Sequence, residues 1–275
     1  ANIEARDPKG LTPLLHAVAR NENPEVVRSL IRLGADVNAK THEGVSVLES
    51  AVNEAKNIDK LEMLVNAGAR FPRGKGLADS ALLLAVSSER IDLVKQLIAL
   101  KADVNVRDEL QQTPLFEAAQ FHADPTILQL LLKAGAKVNL RDHSNMTPLM
   151  WAASSSPNPT TIKILAEAGA EINAVDHFGM TPLMYASWKK KDAAAVKALL
   201  EVGARLETID THGRTALICA AQNSESPEVV EALVAAGANI ELRDSQFGKT
   251  AYEYAIENEF LKDTATIDLL KAKSR

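Results

Sequence analysis

Six histidines, a single cysteine and a recurring aspartate are the side chains of this 275-residue sequence whose types could do chemistry. His143 and His177 stand 34 residues apart at equivalent places, with His42 and His212 close to theirs, an arrangement that invites a metal site. The spacing opposes it. If equal places in successive copies stack at about 10 Å, two imidazoles cannot both lie about 2 Å from one zinc ion. These histidines are read instead as solvent-facing loop residues. Cys219 and His212 would make a thiolate–imidazole pair, but no third group orients the base and no strand-turn-helix elbow presents the nucleophile. A buried thiol in an apolar helical run is the simpler reading of Cys219. Gly74-Lys75-Gly76 lacks the Ser/Thr and the upstream glycine spacing of a phosphate loop and reads as a flexible connector. Asn145-Met146-Thr147 has the form of a glycosylation sequon. Asn145, however, replaces a glycine of the other copies, and Asn tolerates the left-handed backbone such a place requires. Asp7, Asp108, Asp142, Asp176, Asp210 and Asp244 recur, most of them preceded by Arg or Lys. Each is expected to accept backbone N–H groups of a turn, and the preceding Arg to pair with the Asp of a neighbouring copy.

These residues are positioned by a repeating element. Thr12-Pro13-Leu14 recurs at Thr113-Pro114-Leu115, Thr147-Pro148-Leu149 and Thr181-Pro182-Leu183, and as Thr215-Ala216-Leu217 with Ala for Pro. Weaker copies stand at Ser46-Val47-Leu48, Ser80-Ala81-Leu82 and Thr250-Ala251-Tyr252, so that the period is 33 to 35 residues. A fixed period of this size denotes an array of stacked units. Eight repeats result, at approximately 1–35, 36–69, 70–102, 103–136, 137–170, 171–204, 205–238 and 239–275, read together as one domain. Repeat three departs in its connector, residues 70–79, which lacks the Asn, Arg and Asp of its neighbours.

Thr is a good N-cap, and Pro suits the first helical position, where its missing N–H would have had no partner. A short first helix therefore starts at each Thr. The second residue after the Thr is nearly always Leu and the fifth is always Ala (Ala17, Ala51, Ala85, Ala118, Ala152, Ala186, Ala220, Ala255). Being three apart, they share a buried face, where close stacking leaves room only for Ala. A second helix follows, for example Pro24 to Leu33, and stops at a glycine: Gly34, Gly68, Gly135, Gly169, Gly203 or Gly237, with Lys101 as the exception. Such units cannot bury their apolar faces alone.

The turn, Thr-Pro-Leu, paired helices and closing Gly-Ala together resemble the ankyrin-repeat family over essentially the whole chain. That resemblance implies an all-α, curved solenoid of stacked helix-turn-helix units with projecting β-hairpin loops. It further implies a module that binds protein partners through its hairpin tips and the concave face of its first helices, with no catalytic activity and no cofactor. The His usual after Thr-Pro-Leu in the family is replaced here by Leu15, Phe116, Met150, Met184 and Ile218. The longer, Pro-bearing turn between helices, as in Ser224-Glu225-Ser226-Pro227, resembles bacterial members.

A net charge of -5 gives no default attraction to nucleic acid or to an anionic membrane. No apolar run approaches the ~18 residues of a membrane span. The expected partner is a protein, and the unbound state a monomer. Ala1 falls where later repeats carry the Ala of Gly-Ala. An earlier repeat, a cap helix or a signal peptide upstream all satisfy that register, and the last would move the protein from the cytoplasm to a bacterial periplasm.

Residues four and seven positions after the Thr lie on a first-helix face away from the packed Leu and Ala, and they vary. The first place holds His16, Glu117, Trp151, Tyr185 and Cys219; the second holds Asn53, Gln120, Ser154, Trp188 and Gln222. With aromatics at only 4%, finding both tryptophans and a tyrosine in repeats five and six singles that region out. Filling of grooves between first helices and contact with a partner are both open for Trp151 and Tyr185. Trp188, beside Lys189-Lys190-Lys191, is expected to be exposed. The expected partner-binding set is Phe121, His143, Met146, Met150, Trp151, His177, Phe178, Met180, Met184, Tyr185, Trp188 and Arg214, with the methionines adding apolar surface. A specific form of this function is inhibition of a partner enzyme, in self-protection. Two rivals are a targeting arm of a larger enzyme or effector whose catalytic part lies upstream of Ala1, and a structural scaffold.

Overall fold

The computed structural model describes residues 2–52, 58–71, 76–188, 193–262 and 264–272. Connector residues 72–75, with Gly74-Lys75, lie outside them, as do Asn53 and the lysine run 189–191. The chain forms two compact units, residues 1–106 and 107–275. The described residues are helical and contain no strand, and their only bridges are isolated ones, Lys40 with Ser46 and Arg243 with Thr250.

The first unit holds α1 (Pro13–Arg20), α2 (Pro24–Arg32), α3 (Val47–Val52), α4 (Ile58–Asn66), α5 (Leu77–Ser87) and α6 (Ile91–Ala99). Of the first helices, α1 packs on α3 and α3 on α5, and the second helices α2, α4 and α6 adjoin in the same succession. In repeat three, α5 begins at Leu77, three residues before the Ser80 that marks the usual start, behind Gly76 in the left-handed region at φ 58°. The segment that makes a turn elsewhere is here the first turn of a helix.

The second unit holds α7 (Pro114–Phe121), α8 (Thr126–Lys133), α9 (Pro148–Ser155), α10 (Thr160–Glu167), α11 (Pro182–Ser187), α12 (Ala194–Glu201), α13 (Ala216–Asn223), α14 (Pro227–Ala235), α15 (Ala251–Ala255) and α16 (Ala265–Ala272). Its first helices, α7, α9, α11, α13 and α15, form one row. Three of the caps are those the residue types predict, the Thr147, Thr181 and Thr215 hydroxyls accepting the N–H three residues on, whereas Thr113 starts α7 without a side-chain cap bond. Loss of one such cap costs about 1 kcal/mol.

The repeated Leu and Ala are the core. Leu115, Leu149, Leu183 and Leu217 are buried, as are Ala118, Ala152, Ala186 and Ala220 between successive first helices. Truncating one of these leucines to Ala costs about 2–5 kcal/mol, because the rigid stack cannot collapse onto the cavity. The left-handed places are filled as expected, with Asn145 at φ 61° in the turn and Lys101 at φ 65° closing α6. Gly213 shows why glycine is otherwise required. At φ 74°, a Cβ there would also come within 2.7 Å of the Ser245 backbone nitrogen.

Candidate partner-binding surface

The turns of repeats five, six and seven are organised by the two oxygens of their aspartates, which do different work. In repeat five, Asp142 Oδ1 accepts the N–H groups of Ser144 (2.9 Å) and Met146 (3.0 Å). The Asp142 N–H in turn donates to the Met146 carbonyl at 3.1 Å. Oδ2 faces α9 and accepts the indole N–H of Trp151 at 2.8 Å. Repeat six repeats the scheme. Asp176 Oδ1 accepts from Phe178 and Met180, and the Tyr185 hydroxyl donates to Oδ2 at 2.6 Å. Burial, and then the bond to Asp176, push the Tyr185 phenol well above its ordinary range, so it remains a donor. In repeat seven, Cys219 is fully buried and its thiol is pushed up to about 12, chiefly by burial. Arg214 takes over, its Nε and Nη2 reaching Asp210 Oδ2 at 2.8 and 2.7 Å.

The variable position four after the Thr is thus largely an internal anchor, with His16 on Asp7 and Tyr254 on Asp244 as further cases. Repeat four breaks the pattern by placing Glu117 there, opposite Asp108. Burial and then the Asp108 charge raise the Glu117 carboxyl above its ordinary value. Trp151 and Tyr185 are part-buried and pack against Met146, Met150 and Ala174, so they do fill grooves of the stack.

Four of the expected contact residues are buried rather than displayed on the surface, although Met180 still lines a cleft. Met146, Met150, Met180 and Met184 are all buried, the second and fourth with no exposure at all. The reason is the short helix. Met150 and Met184 occupy its third position, where the thioether sulfur turns back to accept the capping threonine's own N–H at 3.4 and 3.5 Å. Met146 and Met180 close the turns just before the caps. These methionines support the surface from beneath.

Beside Met180 lies an open cleft of about 490 Å³, lined by Phe178, Met180, Tyr185, Trp188 and Arg214 and also by Ser154 and His212. The first five belong to the set expected from sequence, and the structure brings them together. Trp188 ends α11 with an extended backbone and is part-buried, not exposed as expected, because the Arg214 guanidinium lies 5.1 Å from the centre of its ring. That cation–π contact holds the indole upright. Nη1 of Arg214 also reaches Gln222 Oε1 at 3.3 Å.

A second feature coincides with the cleft. The residue before the turn aspartate is an arginine in repeats one, four, five and eight. Its guanidinium pairs with no neighbouring aspartate, contrary to expectation; in Asp142 and Asp176 one oxygen is taken by turn N–H groups and the other by the first-helix aromatic. It donates to carbonyls instead. Arg141 Nη1 bonds the Asn145 carbonyl of its own turn at 3.0 Å and that of Val175 in the next repeat at 2.7 Å. Arg107 does the same toward Gln111 and Arg141. In repeats six and seven the arginine is replaced by Val175 and Ile209, exposed to 39% and 58%, beside the 62% exposed Phe178. Aligning the repeats shows this replacement in the sequence, but only the bonds reveal what it forfeits.

Of the other expected residues, Phe121 is exposed at the end of α7, and His177 is exposed at a turn. His143 is tied to the preceding turn through Nε2 and the Glu109 carbonyl at 3.0 Å. None of the three lines the cleft. Among the described residues, no three His, Cys, Asp or Glu side chains converge as a metal site would require.

A model of three ankyrin repeats matches residues 82–176, 153–244 and 194–272, and a single-repeat model matches residues 9–42. The chain belongs to the ankyrin-repeat family. Its repeats accordingly constitute a protein–protein interaction module. It is 32% identical over 119 residues to an ankyrin repeat protein of fowlpox virus, covering 43% of this chain and 17% of that protein. It is 31% identical over 151 residues to NF-kappa-B inhibitor delta of Mus musculus, covering 47% of this chain and 46% of the inhibitor. With the nuclear factor NF-kappa-B p105 subunit of Rattus norvegicus it shares 32% over 111 residues, 39% of this chain and 11% of the subunit. The chain spans less than half the length of each of these ankyrin proteins.

Proposed function

We propose that this ankyrin chain is a non-enzymatic binding protein, monomeric when free, that grips one protein partner with the first helices and hairpin tips of repeats four to seven. The observation that carries the reading is the coincidence of the aromatic cleft with the two repeats whose turn arginine has become an exposed aliphatic. An arginine bonded to two carbonyls stabilises the stack. Its replacement by Val175 and Ile209 gives up that stabilisation and exposes apolar surface, which is a departure that stability does not explain. A preformed stack loses little conformational entropy on binding, so a few desolvated aromatics can supply most of the affinity. Occlusion is the specific form of this function. The name of the mouse relative describes a protein that restrains another, and a clamp of this kind can likewise cover the working surface of an enzyme. Nucleic acid is not the expected partner, given the chain's net charge of -5.

The test is affinity capture from the native source with three baits: wild type, a Phe178→Asp/Ile209→Asp double variant, and a Phe247→Asp control. All three changed side chains are exposed, so the fold is retained. The partner should be recovered by wild type and control and lost by the double variant. Recovery of the same proteins by all three would overturn the assignment.

A further inference from the structure

The polar groups around the cleft are unbalanced in a way that selects a ligand. Among its described lining residues there is no carboxylate. Asp210, which neutralises Arg214 in the ion-pair sense, has a side chain with no exposure at all, whereas Arg214 retains 14% and His212 44%. Asp210 is also saturated. Its Oδ1 accepts the His212 and Arg214 backbone N–H groups at 2.9 and 2.8 Å, and its Oδ2 accepts the Arg214 Nε–H at 2.8 Å and lies 2.7 Å from Nη2 in the ion pair, with His212 Nδ1 3.9 Å away. An entering group therefore meets donors and no anionic acceptor. A guanidinium carries five N–H bonds, and Arg214 hydrogen-bonds through two of them, Nε to Asp210 and Nη1 to Gln222, so that donors remain for an entering acceptor. Ser154 and His212 line the same cleft. A cationic side chain is disfavoured, because Arg214 already occupies the Trp188 face that would receive it.

Resting on the proposed partner-binding reading, we propose that the cleft takes a segment of a protein partner in which an aromatic or aliphatic side chain is followed closely by Asp or Glu. The apolar side chain inserts between Phe178, Tyr185 and Trp188, and the carboxylate is received by Arg214 and His212. A protein segment is favoured over a free aryl acid by the surroundings. Val175 and Ile209 lie three residues before Phe178 and His212 on the same two hairpins, and a small molecule seated in the cleft would leave them uncovered.

A phage-displayed library of random 12-residue peptides, panned on the full chain, tests this and needs no identified partner. Enriched peptides should place Asp or Glu within two residues of a large apolar residue, and their binding should be lost on the Phe178→Asp/Ile209→Asp variant. Changing the peptide acid to its amide should weaken binding to wild type by about tenfold or more, the scale of one charge-assisted contact. The same change should cost less on either of two altered proteins, each of which keeps one of the two receiving groups, and should be nearly silent when both alterations are combined. His212→Ala removes an exposed ring. Arg214→Met with Cys219→Tyr rebuilds in repeat seven the Met-and-Tyr arrangement of repeat six, so that Asp210 keeps a donor. Peptides that need Phe178 and Ile209 but tolerate the amide, or that carry Lys or Arg beside the anchor, would overturn the acidic-segment proposal and leave the binding surface standing. Enriched peptides indifferent to the Phe178→Asp/Ile209→Asp variant, or no enrichment at all, would count against the surface itself and remove both readings.

Discussion

The turns of repeats four and five differ from those of six and seven in the residue before the organising aspartate. In the former, Arg107 and Arg141 each bond the carbonyl of the next turn; in the latter, Val175 and Ile209 have no such reach and stand exposed. Neighbouring copies of one unit thus use the same position differently, for cohesion of the stack in one case and for apolar surface in the other. Repeat seven differs further from six in its anchor, an ionic guanidinium–carboxylate pair where six has a neutral phenol–carboxylate bond.

That second contrast yields the largest expected effect. Asp210→Ala strands the buried part of Arg214 without its carboxylate and should lower stability by about 3–5 kcal/mol. Asp176→Ala leaves only the Tyr185 hydroxyl and two backbone N–H groups short of an acceptor and should cost about 1–3 kcal/mol. Urea denaturation of the two side by side is the check, and equal losses would erase the distinction between the anchors. Next is Arg141→Val, which imposes the repeat-six pattern on repeat five. It should destabilise by about 1–2 kcal/mol, the worth of charge-assisted bonds at a part-exposed site. Peptides selected on the cleft should bind this variant as they bind wild type. The reverse change, Val175→Arg, should raise stability by about 0.5–1.5 kcal/mol while weakening partner binding. A variant that gained stability and bound as tightly as before would remove the argument that Val175 is there for recognition.

The smallest effect concerns Glu117, the odd occupant of the anchor place. Its carboxyl is raised in the folded chain, so the folded state holds a proton that the unfolded state has released just above the ordinary glutamate range. Stability therefore falls as pH rises through that window. Glu117→Gln should flatten the fall and leave the variant more stable at neutral pH by less than about 1 kcal/mol, since half the group is solvated. A denaturation series from pH 4 to 7 would show it.

Much of the scaffold is legible in the sequence because each part answers a local demand. Thr before Pro-Leu caps a helix, Ala recurs where backbones approach, and Asn145 takes a left-handed place. The candidate surface is legible only in outline. Position counting identifies the face that varies, but a helix of six to eight residues is barely two turns long. Its third residue can therefore fold back under the turn, and Met150 and Met184 do so. The arginines mislead for a similar reason. Opposite charges in neighbouring repeats suggest pairing, yet both aspartate oxygens are already committed to the turn and the first helix. Which acceptor is free is a property of the assembled stack. Val175 and Ile209 give no signal of their own because they are bland residues, informative only once the function of the residue they displace is known.

The missing arginine links have a consequence for motion. In a linear array, cooperativity depends on the coupling between adjacent units. Where Val175 and Ile209 stand, each hairpin has lost one of the ties that lock its opening to that of the next. The tips of repeats six and seven should therefore open locally, without unfolding their helices, more often than those of four and five. Amide exchange at Phe178 and His212 should then outpace that at the equivalent Leu110 and Ser144. The cleft would sit at the loosest seam of the second unit, and a bound partner would act there as a clasp, restoring in the complex the continuity that the free chain lacks.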